Sequence, residues 1–110
     1  MANKYLRKTL RPDAAVETTI LTVPEANVGV LRSLRVTNTI GTATNVSVTQ
    51  YVNGTGPATF LLKARSLPGS QTFDVFNGVP CVLEEGDVIK VLSSGASCHF
   101  YLSYLEMDRN

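Results

Sequence analysis

The chain has no tryptophan, one histidine and two cysteines among its 110 residues, and each shortage closes off a class of function. Covalent or acid–base catalysis needs a nucleophile beside a base. Here the one imidazole, His99, stands between Cys98 and Phe100. Neighbours in a strand point to opposite faces, so Cys98 cannot reach it, and only Cys81 could approach from a neighbouring strand. Two cysteines are also too few for a zinc pattern or a disulfide framework, and the expectation is two small thiols packed in the core. Without tryptophan, sugar stacking would fall to Tyr51, Tyr101 and Tyr104, the residues that a carbohydrate-binding or host-adhesion module would use. No catalytic residue, cofactor or metal is expected. Glu84, Glu85 and Asp87 surround Gly86 without the alternating ligands of a calcium loop, and read as a solvated turn.

No apolar run approaches the ~20 residues that span a bilayer, and the N-terminus lacks the apolar core of a signal peptide. The expectation is a protein made in the cytosol with no membrane partner, in which Asn45 and Asn53 are strand and turn residues rather than glycosylation sites. Charged residues are 17% of the chain, a sparse supply that favours self-association. They are also unevenly placed. Lys4, Arg7, Lys8 and Arg11 fall in the first twelve residues, which hold no acid, while the remaining six basic and nine acidic residues leave the body near −3. A basic segment of this kind is attracted to an acidic neighbour. Nucleic acid is not expected as a partner, because the body is acidic and its arginines are not interleaved with aromatics on one face. Two units follow: a basic, extended N-terminal arm over residues 1–13 and a β domain over 14–110, with Lys4, Tyr5, Arg7, Lys8 and Arg11 as the partner-binding residues of the arm.

The body reads as strands. In VGVLRSLRV, Val28, Val30, Leu34 and Val36 share one parity against Ser33, Arg35 and Thr37, which predicts one half-buried strand with Arg32 as its exception. TNVSVTQYV sets Val46, Val48 and Val52 against Asn45, Ser47, Thr49 and Tyr51, and the Gly41 turn predicts that it pairs with the preceding strand. Asn-Gly-Thr-Gly-Pro at 53–57 is the strongest hairpin turn. Pro80 places VPCVL at a sheet edge or a strand start. LEEGDVIKVLSSG at 83–95 predicts a strand between two reversals, with Ile89 and Val91 opposite Lys90. The closing strand sets Cys98, Phe100, Leu102 and Tyr104 against His99, Tyr101, Ser103 and Leu105. Seven to eight short strands with a turn every 8–12 residues predict a single all-β, antiparallel, jelly-roll-like β-sandwich carrying an extended arm.

The order TTILTVPEANVGVLRSLRVTNT, a Thr/Ala/Val strand, SLPGSQTFDVFNGVPCVLEEGDVIKVLSSG and a terminal strand ending near SYLEM resembles a group of small tailed-bacteriophage virion proteins over residues 18–107. The resemblance implies a non-enzymatic β-sandwich subunit, frequently trimeric, that decorates the capsid or serves as a neck, tail or fibre-associated accessory. Its partners would be the major capsid protein or neck and tail proteins, together with further copies of itself. It would belong to the virion, assembled in the host bacterial cytoplasm. The LRKTLRP arm has no counterpart in that pattern.

Overall fold

Among the described residues run nine strands: β1 (Asn3–Leu10), β2 (Thr18–Thr22), β3 (Asn27–Asn38), β4 (Thr44–Tyr51), β5 (Ala58–Leu67), β6 (Thr72–Asp74), β7 (Cys81–Leu83), β8 (Val88–Ser93) and β9 (Cys98–Asp108). The structure is a computed structural model that describes residues 3–54, 56–95 and 97–108. Residues 1 and 2 of the expected arm, residues 109 and 110 of the expected body, and Thr55 of the 53–57 turn lie outside the described residues.

The strands form two antiparallel sheets. The long sheet runs β1-β9-β3, with β6 and β7 both pairing the far edge of β3; the short sheet runs β2-β8-β4-β5. Of the connections, only β4 to β5 joins neighbours within a sheet. With β6 and β7 taken as one interrupted strand, every other connection crosses from sheet to sheet. This is the architecture of an eight-stranded jelly roll whose sixth strand is broken in two. The all-β sandwich expected from the sequence is therefore observed.

Several sequence expectations need correction. The Gly41 turn does not make a hairpin, because β3 belongs to the long sheet and β4 to the short one; likewise the turns on either side of β8 are crossovers. Val52 is not a core position. It leaves β4 for a short 3-10 turn (Val52–Gly54) and is exposed. Finally, the apolar parity of β3 is not continuous. Its pairing with β9 shifts register between Leu31 and Ser33, so Arg32 is an extra residue, a β-bulge that re-aims everything before it. Leu34 and Val36 point into the sandwich together with Leu31, which is fully buried, whereas Val28 and Val30 are only half-buried.

The N-terminal segment is extended, as expected, but Asn3–Leu10 does not stand apart from the body. It is β1, the edge strand of the long sheet, in register with β9 from Asn3↔Met107 to Leu10↔Phe100.

Between the sheets lie Leu31, Leu34, Val36, Val46, Val48, Leu83, Ile89, Val91, Cys98, Phe100 and Leu102, all 2% exposed or less. Burying each large member contributes about 1.5–3 kcal/mol. At the open β5/β6 side, the Arg65 guanidinium lies 4.1 Å from the centre of the Phe73 ring and spans from one sheet to the other.

Buried polar side chains hold the two ends. At one end the fully buried Asn38 donates through Nδ2 to the carbonyls of Thr42 (2.8 Å) and Leu67 (3.2 Å). Its Oδ1 accepts from the Ser97 hydroxyl (3.0 Å) and the Ile40 amide (3.3 Å). Three loops are thus tied to one amide. At the other end Asp87 is buried, not solvated as the acidic turn had implied. Its carboxylate accepts from the amides of Glu84 (3.0 Å) and Asn53 (3.1 Å) and from Gln50 Nε2 (3.3 Å). Gly86 beside it has φ +82°, a left-handed conformation that strains any residue bearing a Cβ, so the turn favours glycine there.

Candidate protein-interaction surface

Register fixes which residues share a face. Phe100, Leu102 and Tyr104 of β9 are buried, so their partners Leu10, Lys8 and Leu6 on β1 lie on the inner side, and Lys4 follows opposite Glu106. The alternate positions make up the outer face of the long sheet, which can be read as successive rows across the strands.

At one end of this face Met107 lies beside Val28. The next row is Tyr5, Leu105, Val30 and Val82, one residue from each of β1, β9, β3 and β7. Tyr5 is 78% exposed and Val82 64%, so the row is open to water. Beyond Arg7, Ser103 and Ser33 the character changes. Thr9, Tyr101, Arg35 and Asp74 form one row, and His99, Thr37 and Thr72 the next. These last rows, apart from Asp74, line with Arg11 a shallow groove of about 630 Å³. Within it the Arg35 guanidinium lies 5.0 Å from the centre of the Tyr101 ring, and the hydroxyls of Thr37 and Thr72 are 2.9 Å apart.

The five residues expected to bind a partner, Lys4, Tyr5, Arg7, Lys8 and Arg11, are all exposed, and the first four stand on β1. They do not share one face. Tyr5 and Arg7 belong to the outer face, while Lys4 and Lys8 point to the inner side; Arg11, past the end of β1, borders the groove. What unites them is the edge strand. Val30 was missed from sequence because it shares the apolar parity of β3, and Val82 and Leu105 because nothing in the sequence shows which strands lie beside one another.

The features considered for other functions are dispersed. His99 opens onto the outer groove, whereas Cys98 and Cys81 point inward to the core, so the sheet itself separates the imidazole from both thiols. Burial pushes both thiols above their ordinary pKa; Ser97 and Ser93 partly offset this at Cys98, and the charge of Asp87 adds to it at Cys81. Among the described residues no group of three or more metal-ligating side chains occurs. Of the tyrosines considered for sugar, Tyr104 is buried. Lys90 Nζ lies 4.8 Å from the Tyr51 ring centre and the Arg35 guanidinium lies over Tyr101, so each of these two rings already carries a cation on one face. The Tyr51 hydroxyl also donates to Glu17 (3.0 Å), a hydrogen bond that raises the pKa of the phenol.

No protein-family model matches the chain, and no curated protein matches it in sequence. Solved structures do resemble it in fold. A chain of the Bacillus endospore appendages, described as a family of disulfide-linked pili, aligns with TM-score 0.62 and 13% identity over 99% of this chain and 88% of that one. A chain of the infectious bursal disease virus Gx strain aligns with TM-score 0.56 and 9% identity over 94% of this chain and 32% of that one. A chain of the T13 infectious bursal disease virus particle gives TM-score 0.55 and 12% identity, over 94% and 30%. The chain thus spans about a third of each of these two viral chains and most of the appendage subunit. At these identities the likeness is one of fold.

Proposed function

We propose that this chain is a non-enzymatic structural subunit of a virus particle. The observation that carries the reading is the open apolar row Tyr5–Leu105–Val30–Val82, which runs across four strands and ends at a cationic edge strand. A continuous exposed apolar row on an otherwise well-packed sandwich is what a surface covered by protein looks like. Two viral-particle chains with the same fold lend support. The finer reading follows the sequence resemblance: a capsid decoration protein of a tailed phage, in which Lys4, Tyr5, Arg7, Lys8 and Arg11 meet an acidic surface of the major capsid protein while copies touch one another. A neck, tail or fibre-associated position uses the same surface. Modest contacts repeated over a lattice add up to firm attachment.

A second reading, a fibre-forming subunit, is favoured by the likeness to the appendage subunit over nearly the whole of both chains. Covalent linkage is not part of it here, since Cys98 is fully buried and Cys81 packs against the core.

Quantitative mass spectrometry of purified particles, followed by imaging, tests the reading. Hundreds of copies over the head are expected for decoration, and about a dozen at one vertex would move the protein to the neck or tail. Replacing Lys4, Arg7, Lys8 and Arg11 by Ala, or Tyr5 and Val82 by Ser, is expected to abolish incorporation while leaving the unfolding transition in place. Absence from particles, with filaments formed by the purified protein, would replace the virion reading by the fibre reading.

A further inference from the structure

The two sheets have four outer edges, and three of them are poor templates for another strand. β6 and β7 are three residues each, with a bend between them. β2 has five residues and a register shift between Thr19 and Leu21. β5 is longer, but its pairing with β4 is irregular twice, and Ala64 within it has φ +47°. Short, bulged or twisted edges of this kind are how sheets avoid unwanted pairing. β1 is different. It keeps eight consecutive pairs with β9 without any irregularity, and among the described residues no strand lies on its other side. Alternate amides and carbonyls along it therefore point away from β9 into solvent.

We propose that the open edge of β1 is a strand-addition site for an extended acidic segment of a partner protein. The partner's identity as another component of the assembly rests on the structural-subunit reading above; the recognition chemistry rests on β1 itself. Main-chain hydrogen bonds along a regular edge supply affinity, and side chains on the two faces supply specificity. β1 carries Lys4 and Lys8 on one face and Arg7 on the other, with no acid between Asn3 and Leu10. An added strand with carboxylates at alternating positions meets a cation on whichever face they lie.

A second copy of β1 is the wrong occupant. In a two-fold antiparallel pair each residue meets one on the same face, so the two longest registers centre on Leu6 or on Arg7. The first sets Lys4 against Lys8 twice, and the second sets Arg7 against Arg7. Like charges directly opposite destabilise a pair. The cations thus reject this strand's own copy and select an acidic one.

The test uses the full isotope-labelled chain and a capped synthetic peptide, (Glu-Thr)4. Amide exchange of the β1 groups that face away from β9 is expected to slow at least tenfold on binding. A version with alternate backbone nitrogens methylated, equal in charge but unable to donate, is expected to lose at least tenfold in affinity. The double variant K4E/K8E should likewise bind at least tenfold more weakly. If that variant does not fold, a tenfold loss of wild-type affinity from low to high salt takes its place. No slowing of exchange, or equal binding of the methylated peptide, would overturn the proposal. Two further results separate it from the broader reading. Incorporation into particles with β1 amides still exchanging freely there would sink strand addition alone. Slowed exchange with the peptide, for a chain absent from particles, would sink the virion reading alone.

Discussion

The two halves of the long sheet's outer face share β1, β9 and β3, with β7 beside one half and β6 beside the other, but offer different surfaces. Around Tyr5, Leu105, Val30, Val28 and Met107 the face is apolar; around Thr9, Arg35, Thr37 and His99 it is polar and cationic. On β3 the boundary falls at Arg32, the extra residue in the pairing with β9. Before the bulge, the valines of β3 face out and Leu31 faces in; after it, Leu34 and Val36 face in and Arg35 faces out. The difference teaches that inside and outside belong to each stretch between bulges rather than to a strand as a whole. One inserted residue gives the sandwich both an intact core and an apolar outer row.

The sharpest way to break this comparison is to probe neighbours on either side of β3. Leu31→Ala is expected to lower the unfolding free energy by about 2–5 kcal/mol, the range for truncating a buried leucine. Val30→Ala, one residue away on the outer face, is expected to cost less than about 1 kcal/mol. Denaturant titrations of the two variants settle the matter, and equal losses would put the bulge in the wrong place.

A second probe lies beneath the polar half. Cys98 is fully buried, and burial holds its thiol above the ordinary value of 9.0. A folded-state pKa raised above the unfolded one contributes stability that is full below the unfolded value and lost as pH rises through the folded one. Relative to Cys98→Ala, the wild-type protein is therefore expected to lose stability as pH climbs above 9.0 and to show no such drift at neutral pH. A difference that stays constant across the alkaline range would contradict the burial of the thiol.

The smallest effect belongs to the polar half's surface. Arg35→Ala removes a guanidinium from an exposed aromatic face and should cost about 0.5–1 kcal/mol. It should leave incorporation into particles unchanged, whereas loss of Tyr5 and Val82 should not.

Where alternation was uninterrupted, the sequence was a reliable guide. The inward set Cys98, Phe100, Leu102 and Tyr104, and the pair Ile89 and Val91, are buried as their spacing implied. Turns were recognisable as reversals, but a glycine turn looks the same whether the chain returns beside the previous strand or crosses to the facing sheet. That is why β3 and β4 were expected to pair. Asn38 and Asp87 were illegible for another reason: short polar residues at strand ends resemble solvated turn residues until their partners, many tens of positions away, are brought beside them. The candidate surface was half visible. Clustered charge singled out the residues of β1, while its apolar continuation across Leu105, Val30 and Val82 depended on which strands pair and on a bulge at Arg32 that the sequence showed only as one break in alternation.

The pairing of β1 with β9 also sets an order in time. The earliest described strand has the latest one as its only sheet partner, so Leu10 leaves the ribosome long before Phe100, the residue it will face, has been made. At synthesis rates of about 5–20 residues per second, β1 waits roughly 5–20 s for its neighbour. Until then β1 has no strand of its sheet to pair with, and its ladder with β9 cannot close before nearly all of the sandwich has been synthesised.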